Sequence, residues 1–257
     1  MSDRSRAHAA PRTAVVWSVL RAELDRYSAE PLRVLDAGGG SGQFAVPLAE
    51  LGHLVTVVDA SADALAALER RAAERGVAGR VTGVQGDADT AALVVGADTQ
   101  DLVLCHSLLE VVDDPAAVLG PLTQAVRVGG AASVLVANRH ATVLARALGG
   151  HFADATRALD DPAGRWGEAD GIRRRYDVGE ATALLVAAGL QVEAVHGVRV
   201  VADLLSGPGA PGAQLSRSAG EPEAGALDAL LDFELAASAR PPFRDIATQL
   251  HLLGRRR

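Results

Sequence analysis

The chain predicts an α/β fold: a doubly wound, seven-stranded, mostly parallel sheet with helices on both faces. Short apolar runs alternate along it with helix-patterned stretches, the rhythm of repeated βαβ units. The first run, Val34-Leu35-Asp36, breaks directly into Ala37-Gly38-Gly39-Gly40-Ser41-Gly42, a turn that leads a strand into a helix. The second, Val55-Thr56-Val57-Val58, closes on Asp59, an acid where the second strand of such a unit ends.

Strands are expected over 33–36, 55–59, 81–85, 101–106, 131–137, 191–198 and 246–253. Helices fit 14–27, 42–51, 62–75, 116–126 and 179–188. Gly52 and Gly76 stand where helices end, and Gly129-Gly130 reads as the turn into the fifth strand. Segment 138–178 interrupts the rhythm, and its charges and aromatics suggest a lid inserted after strand five. Segment 206–225, rich in Gly, Pro, Ala and Ser, predicts a mobile surface loop. At 257 residues, 49% of them apolar, the chain can bury one sizeable core, so a single domain over 1–257 is expected. Its parts are an N-terminal cap region (1–30), a cofactor-binding half (31–137), the lid (138–178) and a substrate-side half (179–257).

No stretch approaches the roughly 18 uninterrupted apolar residues of a membrane span. Residues 1–12 are polar and arginine-bearing without an apolar centre, so no secretory leader is expected and a cytoplasmic location is. The single cysteine, Cys105, excludes an intramolecular disulfide and a cysteine metal cluster; no metal is expected. In Leu102-Val103-Leu104-Cys105 it reads as a small buried hydrophobe. All 25 basic residues are arginine. That rules out Schiff-base chemistry, a P-loop lysine and the Tyr-x-x-x-Lys pair of a hydride-transfer enzyme. A net charge of -7 argues against a broadly basic nucleic-acid coat while leaving room for a local arginine patch.

Glycines 38, 40 and 42 let the backbone turn tightly and approach a ligand, and the amides of such a turn favour a carboxylate or phosphate. Asp59 is placed either to accept two ribose hydroxyls or to cap the helix from Ala62. Gly86-Asp87-Ala88, after the third strand, reads as a ligand loop or an ordinary turn. Together these residues point to a nucleotide cofactor. A dinucleotide site carries Gly-x-Gly-x-x-Gly, whereas this turn is Asp36-x-Gly38-x-Gly40-x-Gly42.

In that form the turn resembles motif I of class I S-adenosylmethionine (SAM) methyltransferases. The resemblance implies a Rossmann-like domain with SAM as cofactor. Gly38, Gly39 and Gly40 would receive its methionine end, with Asp36 near the ammonium group. Asp59 would hold the ribose, Ala60 and Ser61 would flank the adenine, and Asp87 and Ala88 would lie at the adenine amino group. His106 begins His106-Ser107-Leu108-Leu109-Glu110 and would line the methionine pocket, or else pack or start a helix.

Over about 12–253 the chain is also similar to the bacterial tRNA 5-carboxymethoxyuridine methyltransferases. The carriers are Leu35 to Gly40, His106 to Pro115, Asn138-Arg139-His140, Gly149-Gly150-His151-Phe152, Gly197-Val198-Arg199-Val200 with Asp203-Leu204, and an acidic helix, Leu230 to Leu235. The likeness implies methyl transfer to the carboxylate of a modified wobble uridine in tRNA. A carboxylate is already an anionic nucleophile, so alignment rather than a general base is needed and no catalytic dyad is expected. Arg199 would pair with the acceptor carboxylate, or with neighbouring Asp203. Asn138 and His140 would contact the uracil or the acceptor, the alternative for Asn138 being a turn. Arg173-Arg174-Arg175-Tyr176 would meet RNA phosphates and stack on a base, or be solvated surface. The Gly/Pro-rich segment and the low basic content leave a small metabolite or natural product as the alternative acceptor.

Overall fold

The computed structural model describes residues 12–27, 31–204 and 225–257; the loop expected over 206–225 lies outside the described residues except for Gly225. In chain order the elements begin with α1 (Ala14–Leu24), β1 (Arg33–Ala37), α2 (Ala45–Glu50), β2 (Leu54–Asp59) and α3 (Ala62–Glu74). Then come β3 (Val81–Gln85), α4 (Ala91–Val95), β4 (Gln100–His106), α5 (Pro115–Ala125) and β5 (Val126–Ala137). After them follow α6 (Arg139–Leu148), α7 (Phe152–Asp160), α8 (Val178–Ala187) and β6 (Leu190–Val198), then α9 (Ala226–Ser238), α10 (Phe243–Ile246) and β7 (Gln249–Arg256).

The local sequence explains these elements. Val34, Leu35 and Ala37 of β1 and Val55, Val57 and Val58 of β2 are buried, as strands covered on both faces require. Ser61 caps α3, its hydroxyl oxygen accepting the Ala64 amide at 3.2 Å. Asp63 in the first turn and Arg71 in the last complement the helix dipole, while Leu65, Leu68 and Ala72 bury one face. Gly76, in the left-handed region at φ 71°, ends the helix.

The seven strands lie in the order β3-β2-β1-β4-β5-β7-β6. β1 pairs in parallel with β2 and β4, β2 with β3, and β4 with β5. β7 is reversed. The Asn138 amide, just past β5, donates to the Thr248 carbonyl at 3.1 Å, and the Thr248 amide donates to the Arg199 carbonyl, just past β6, at 3.2 Å. A strand whose start meets the ends of both neighbours runs antiparallel to them. The sheet order reverses direction between β1 and β4, where doubly wound folds open a crevice.

Several boundaries differ from the sequence expectation for identifiable reasons. Gly42 has φ 78°, so α2 starts only at Ala45. Gly129-Gly130 lies inside β5 rather than before it. The register with β4 jumps from Gln100↔Val126 to Leu102↔Ala131, and a Cβ at Gly130 would sit 2.9 Å from the Asp101 carbonyl oxygen. The glycines thus form a bulge that only unbranched backbone fits. Residues 243–246 form α10, which delays β7 to Gln249. Segment 138–178 contributes two helices, α6 and α7, with Arg146 stacked 3.7 Å over the Trp166 ring.

Two compact units alternate along the chain. One contains α1 with Ala137–Gly179 and Val195–His251; the other contains Tyr27–Val136, Glu180–Ala194 and Leu252–Arg257. Among the described residues no helix is long and apolar enough to cross a membrane, and no group of three or more His, Cys, Asp or Glu side chains is placed to hold a metal ion.

Candidate functional site

Within the unit that carries β1 to β4, the carboxyl ends of the strands open on a cavity of about 490 Å³, a size suited to a cofactor. Gly38, Asp59, Ala60, Asp87 and Ala88 form one side, and Leu108, Val111 and Val112 an apolar wall. The glycine turn leaves room by necessity. Gly38 and Gly40 have φ 72° and 54°, where L side chains are strained. A Cβ at Gly39 would lie 2.5 Å from the Asp36 carboxylate, and one at Gly38 would lie 3.1 Å from Leu108. The result is a cradle between backbone and acid.

Asp59 is fixed by the same turn. Its Oδ2 accepts the Gly40 amide and its Oδ1 the Ser61 amide, each at 2.9 Å. Each oxygen retains a lone pair, so the carboxylate is held rigidly and can still accept hydroxyl protons. Asp36 is buried beneath the turn. Burial, and then the Asp59 carboxylate, push its carboxyl up to about 7. A cation seated on the turn opposes both effects and favours the ionised form. Asp87, Asp89 and Asp113 add to the acidic lining, whereas Asp114 is committed to capping α5, accepting the Ala116 and Ala117 amides at 2.9 and 3.2 Å. The donor set suits a ligand that bears cations, neighbouring hydroxyls and a flat apolar ring.

Of the residues expected to contact the cofactor, Gly38, Asp59, Ala60, Asp87 and Ala88 line the cavity, and Asp36, Gly39, Gly40, Ser61 and His106 do not. Ser61 contributes its side chain to the α3 cap and does not line the cavity. His106 also lies off the lining. Its Nε2 is 2.8 Å from Ser133 Oγ, its ring meets Phe44 edge-on at 4.6 Å, and burial holds it neutral with a pKa of about 3. Leu108 takes the wall position instead, carried there past Ser107, a non-glycine residue with φ 53°. The apolar spacing Leu108, Val111, Val112 was the available signal for this wall. Burial pushes the Cys105 thiol upward, consistent with a packing role.

The other unit carries the residues expected to meet an acceptor. Asn138 is 1% exposed. Its Nδ2 donates to the carbonyls of Asp245 at 2.9 Å and Ala247 at 2.7 Å, and its Oδ1 accepts the His140 amide at 3.1 Å, capping α6. Both ends of the side-chain amide are engaged, so the residue acts as a structural clamp and helix cap. His140 is exposed, with Nδ1 3.1 Å from the Asp245 carbonyl oxygen. Arg175 and Tyr176 face inward rather than toward the surface on which RNA contact is expected. Arg175 is 8% exposed and bidentate with Asp170 at 2.6 and 2.9 Å. Tyr176 is buried, its backbone bridging the Ala137 carbonyl and the Arg139 amide.

Arg199 follows β6 with φ 60°, a conformation costing a non-glycine residue about 1–2 kcal/mol. Its side chain is 18% exposed, with Nη1 3.3 Å from Asp203 Oδ2. Its Nε is buried without a hydrogen-bond partner among the described residues. Burial lowers its pKa, opposed by the Asp203 carboxylate. The ion pair that the spacing offers as the alternative to substrate binding is therefore present. Glu234, which the sequence marks only as part of an acidic helix, is fully buried and accepts the backbone amides of Val200, Val201 and Ala202.

Residues 34–130 match the methyltransferase domain family. The fold also matches a SAM-dependent methyltransferase of Mesorhizobium loti, with a TM-score of 0.60, 22% identity, and coverage of 96% of this chain and 100% of that one. The fold, the cavity and these matches define a class I SAM-dependent methyltransferase, an enzyme whose cofactor is SAM. A likeness running nearly the full chain is to the tRNA 5-carboxymethoxyuridine methyltransferase of Escherichia coli K12: 29% identity over 95% of this chain and 88% of that protein. The ubiquinone biosynthesis O-methyltransferase of a Caulobacter species is 36% identical over 46% of each chain.

Proposed function

We propose that this cytoplasmic enzyme methylates the carboxylate of 5-carboxymethoxyuridine at the tRNA wobble position. The observation that supports this acceptor is the extent of the likeness to the Escherichia coli enzyme, 95% of the chain, where the ubiquinone-pathway relative spans 46%. In this reading Asp36 and the Gly38 to Gly40 turn hold the methionine end of SAM. Asp59 accepts the ribose hydroxyls, and Ala60, Asp87, Ala88 and the Leu108 wall enclose the adenine. Bound SAM supplies an electrophilic methyl group on a sulfonium. The acceptor carboxylate is ionised near neutral pH, so the protein must orient it and need not take a proton from it. Arg199 already holds one carboxylate, that of Asp203, at 3.3 Å. In this reading it binds one acceptor oxygen and leaves the other free to attack.

The test is methyl transfer to tRNA bearing 5-carboxymethoxyuridine, with the ester identified by mass spectrometry of the nucleosides. Formation of the ester supports the reading; no ester, with unchanged wobble nucleosides in a deletion strain, overturns it. A second reading, a small-molecule acceptor, is favoured by one observation. Arg175 and Tyr176 are buried, which removes half of the basic-aromatic run expected to meet RNA. Turnover on small acceptors that modified tRNA does not inhibit would select it.

A further inference from the structure

We infer that Glu234 is a positioning residue for Arg199: its buried carboxylate fixes the turn that aims the guanidinium at the acceptor carboxylate. The inference rests on the acceptor reading above. Three consecutive amides converge on one side chain. Val200 N–H donates to Glu234 Oε2 at 2.7 Å, and Val201 and Ala202 N–H donate to Oε1, both at 2.8 Å. Backbone amides converge in this way where a left-handed residue begins the turn, and Arg199 is that residue at φ 60°. On its other side, the Arg199 carbonyl accepts both the amide and the hydroxyl of Thr248, each at 3.2 Å. The conformation of Arg199 is therefore gripped from both directions, by Thr248 at the carbonyl and by Glu234 through the next three amides.

Val200 and Ala202 are buried, so their amides must be given acceptors. Glu234 is 0% exposed, and a buried carboxylate survives only where hydrogen bonds replace its water. Here the backbone supplies three, and the protein concentrates them on residues 200–202. A long, flexible arginine side chain directs its guanidinium at one carboxylate oxygen with less loss of entropy when its base is already fixed. Strained backbone held by surrounding structure marks places where geometry matters to function. Gly197 supports the same arrangement, because a Cβ there would lie 2.7 Å from the Arg244 carbonyl oxygen and 2.6 Å from the Ala247 side chain. The strand can approach α10 this closely only without a side chain.

The test is a double-mutant cycle read on an anticodon stem-loop RNA carrying 5-carboxymethoxyuridine, with SAM affinity measured by calorimetry. Glu234→Gln keeps one acceptor oxygen and most of the volume, and Glu234→Asp serves as a second variant should the first fold poorly. Expected are a rise of about tenfold in the KM for the RNA, a SAM Kd within about twofold of wild type, and little further rise when Glu234→Gln is added to Arg199→Ala. A KM unchanged by Glu234→Gln, or effects of the two substitutions that simply multiply, would overturn the positioning role while leaving the acceptor reading intact. Normal transfer by Arg199→Ala, or no transfer by the wild-type protein, would overturn the acceptor reading and this inference with it.

Discussion

If Asp36 meets the ammonium group of SAM, it trades stability for binding. Its carboxyl is raised from an ordinary 3.8 to about 7 by burial and by Asp59, so between those values the folded chain holds a proton that the unfolded chain has lost. Stability therefore falls as pH rises through that window, by about 1.4 kcal/mol for each pH unit. The ionised form is also the one that would attract an ammonium group. Asp36→Asn is expected to raise the Tm of the ligand-free protein by several degrees at pH 8, with little gain at pH 4, and to weaken SAM binding at least tenfold. Scanning fluorimetry at the two pH values and calorimetry check this, and equal Tm gains at both would refute the assignment. Asp203 offers a second residue-scale test. It is the carboxylate now on Arg199, and if it occupies the acceptor's place, Asp203→Asn should lower the acceptor KM about threefold or more. A raised KM would mean that Asp203 instead helps to hold the arginine.

Among the elements, those most legible in the sequence are set by neighbours in the chain. β1, β2 and α3 announce themselves through apolar runs, the Ser61 cap and Gly76, all local signals. The proposed cofactor side of the site rests on signals of the same local kind, since Asp36, Gly38 to Gly40 and Asp59 sit at strand ends. Partners far apart in sequence are not legible. Asn138 is spent on carbonyls 107 and 109 residues away, and Glu234 reaches amides 32 to 34 residues away, distances that no residue pattern encodes. Arg175 misleads because an arginine run looks solvated until Asp170 is seen to pair with it. Gly197 marks the contact of β6 with α10, and Gly197→Ala should destabilise the protein by about 1–3 kcal/mol by forcing them apart. A urea unfolding midpoint unchanged by that substitution would show that α10 yields freely.

At the scale of the whole molecule, charge limits how an RNA could be held. A net charge of -7 sets up an overall field that opposes phosphates, and Arg175 is turned inward onto Asp170. If tRNA is the acceptor, log kcat/KM should fall with log salt at a slope shallower than about -2, corresponding to roughly three phosphate contacts or fewer. A steep slope would reveal a basic surface beyond the residues named above. The reversed strand β7 has a different consequence, for how the molecule can be handled. Because β7 runs back along the sheet, Arg256 ends beside Asp98, just before β4, with their charged groups 2.7 Å apart. The cofactor cavity lies at the opposite ends of the parallel strands. Whatever is joined beyond Arg257, whether a surface tether, a fluorophore or further polypeptide, departs from the strand ends opposite that cavity.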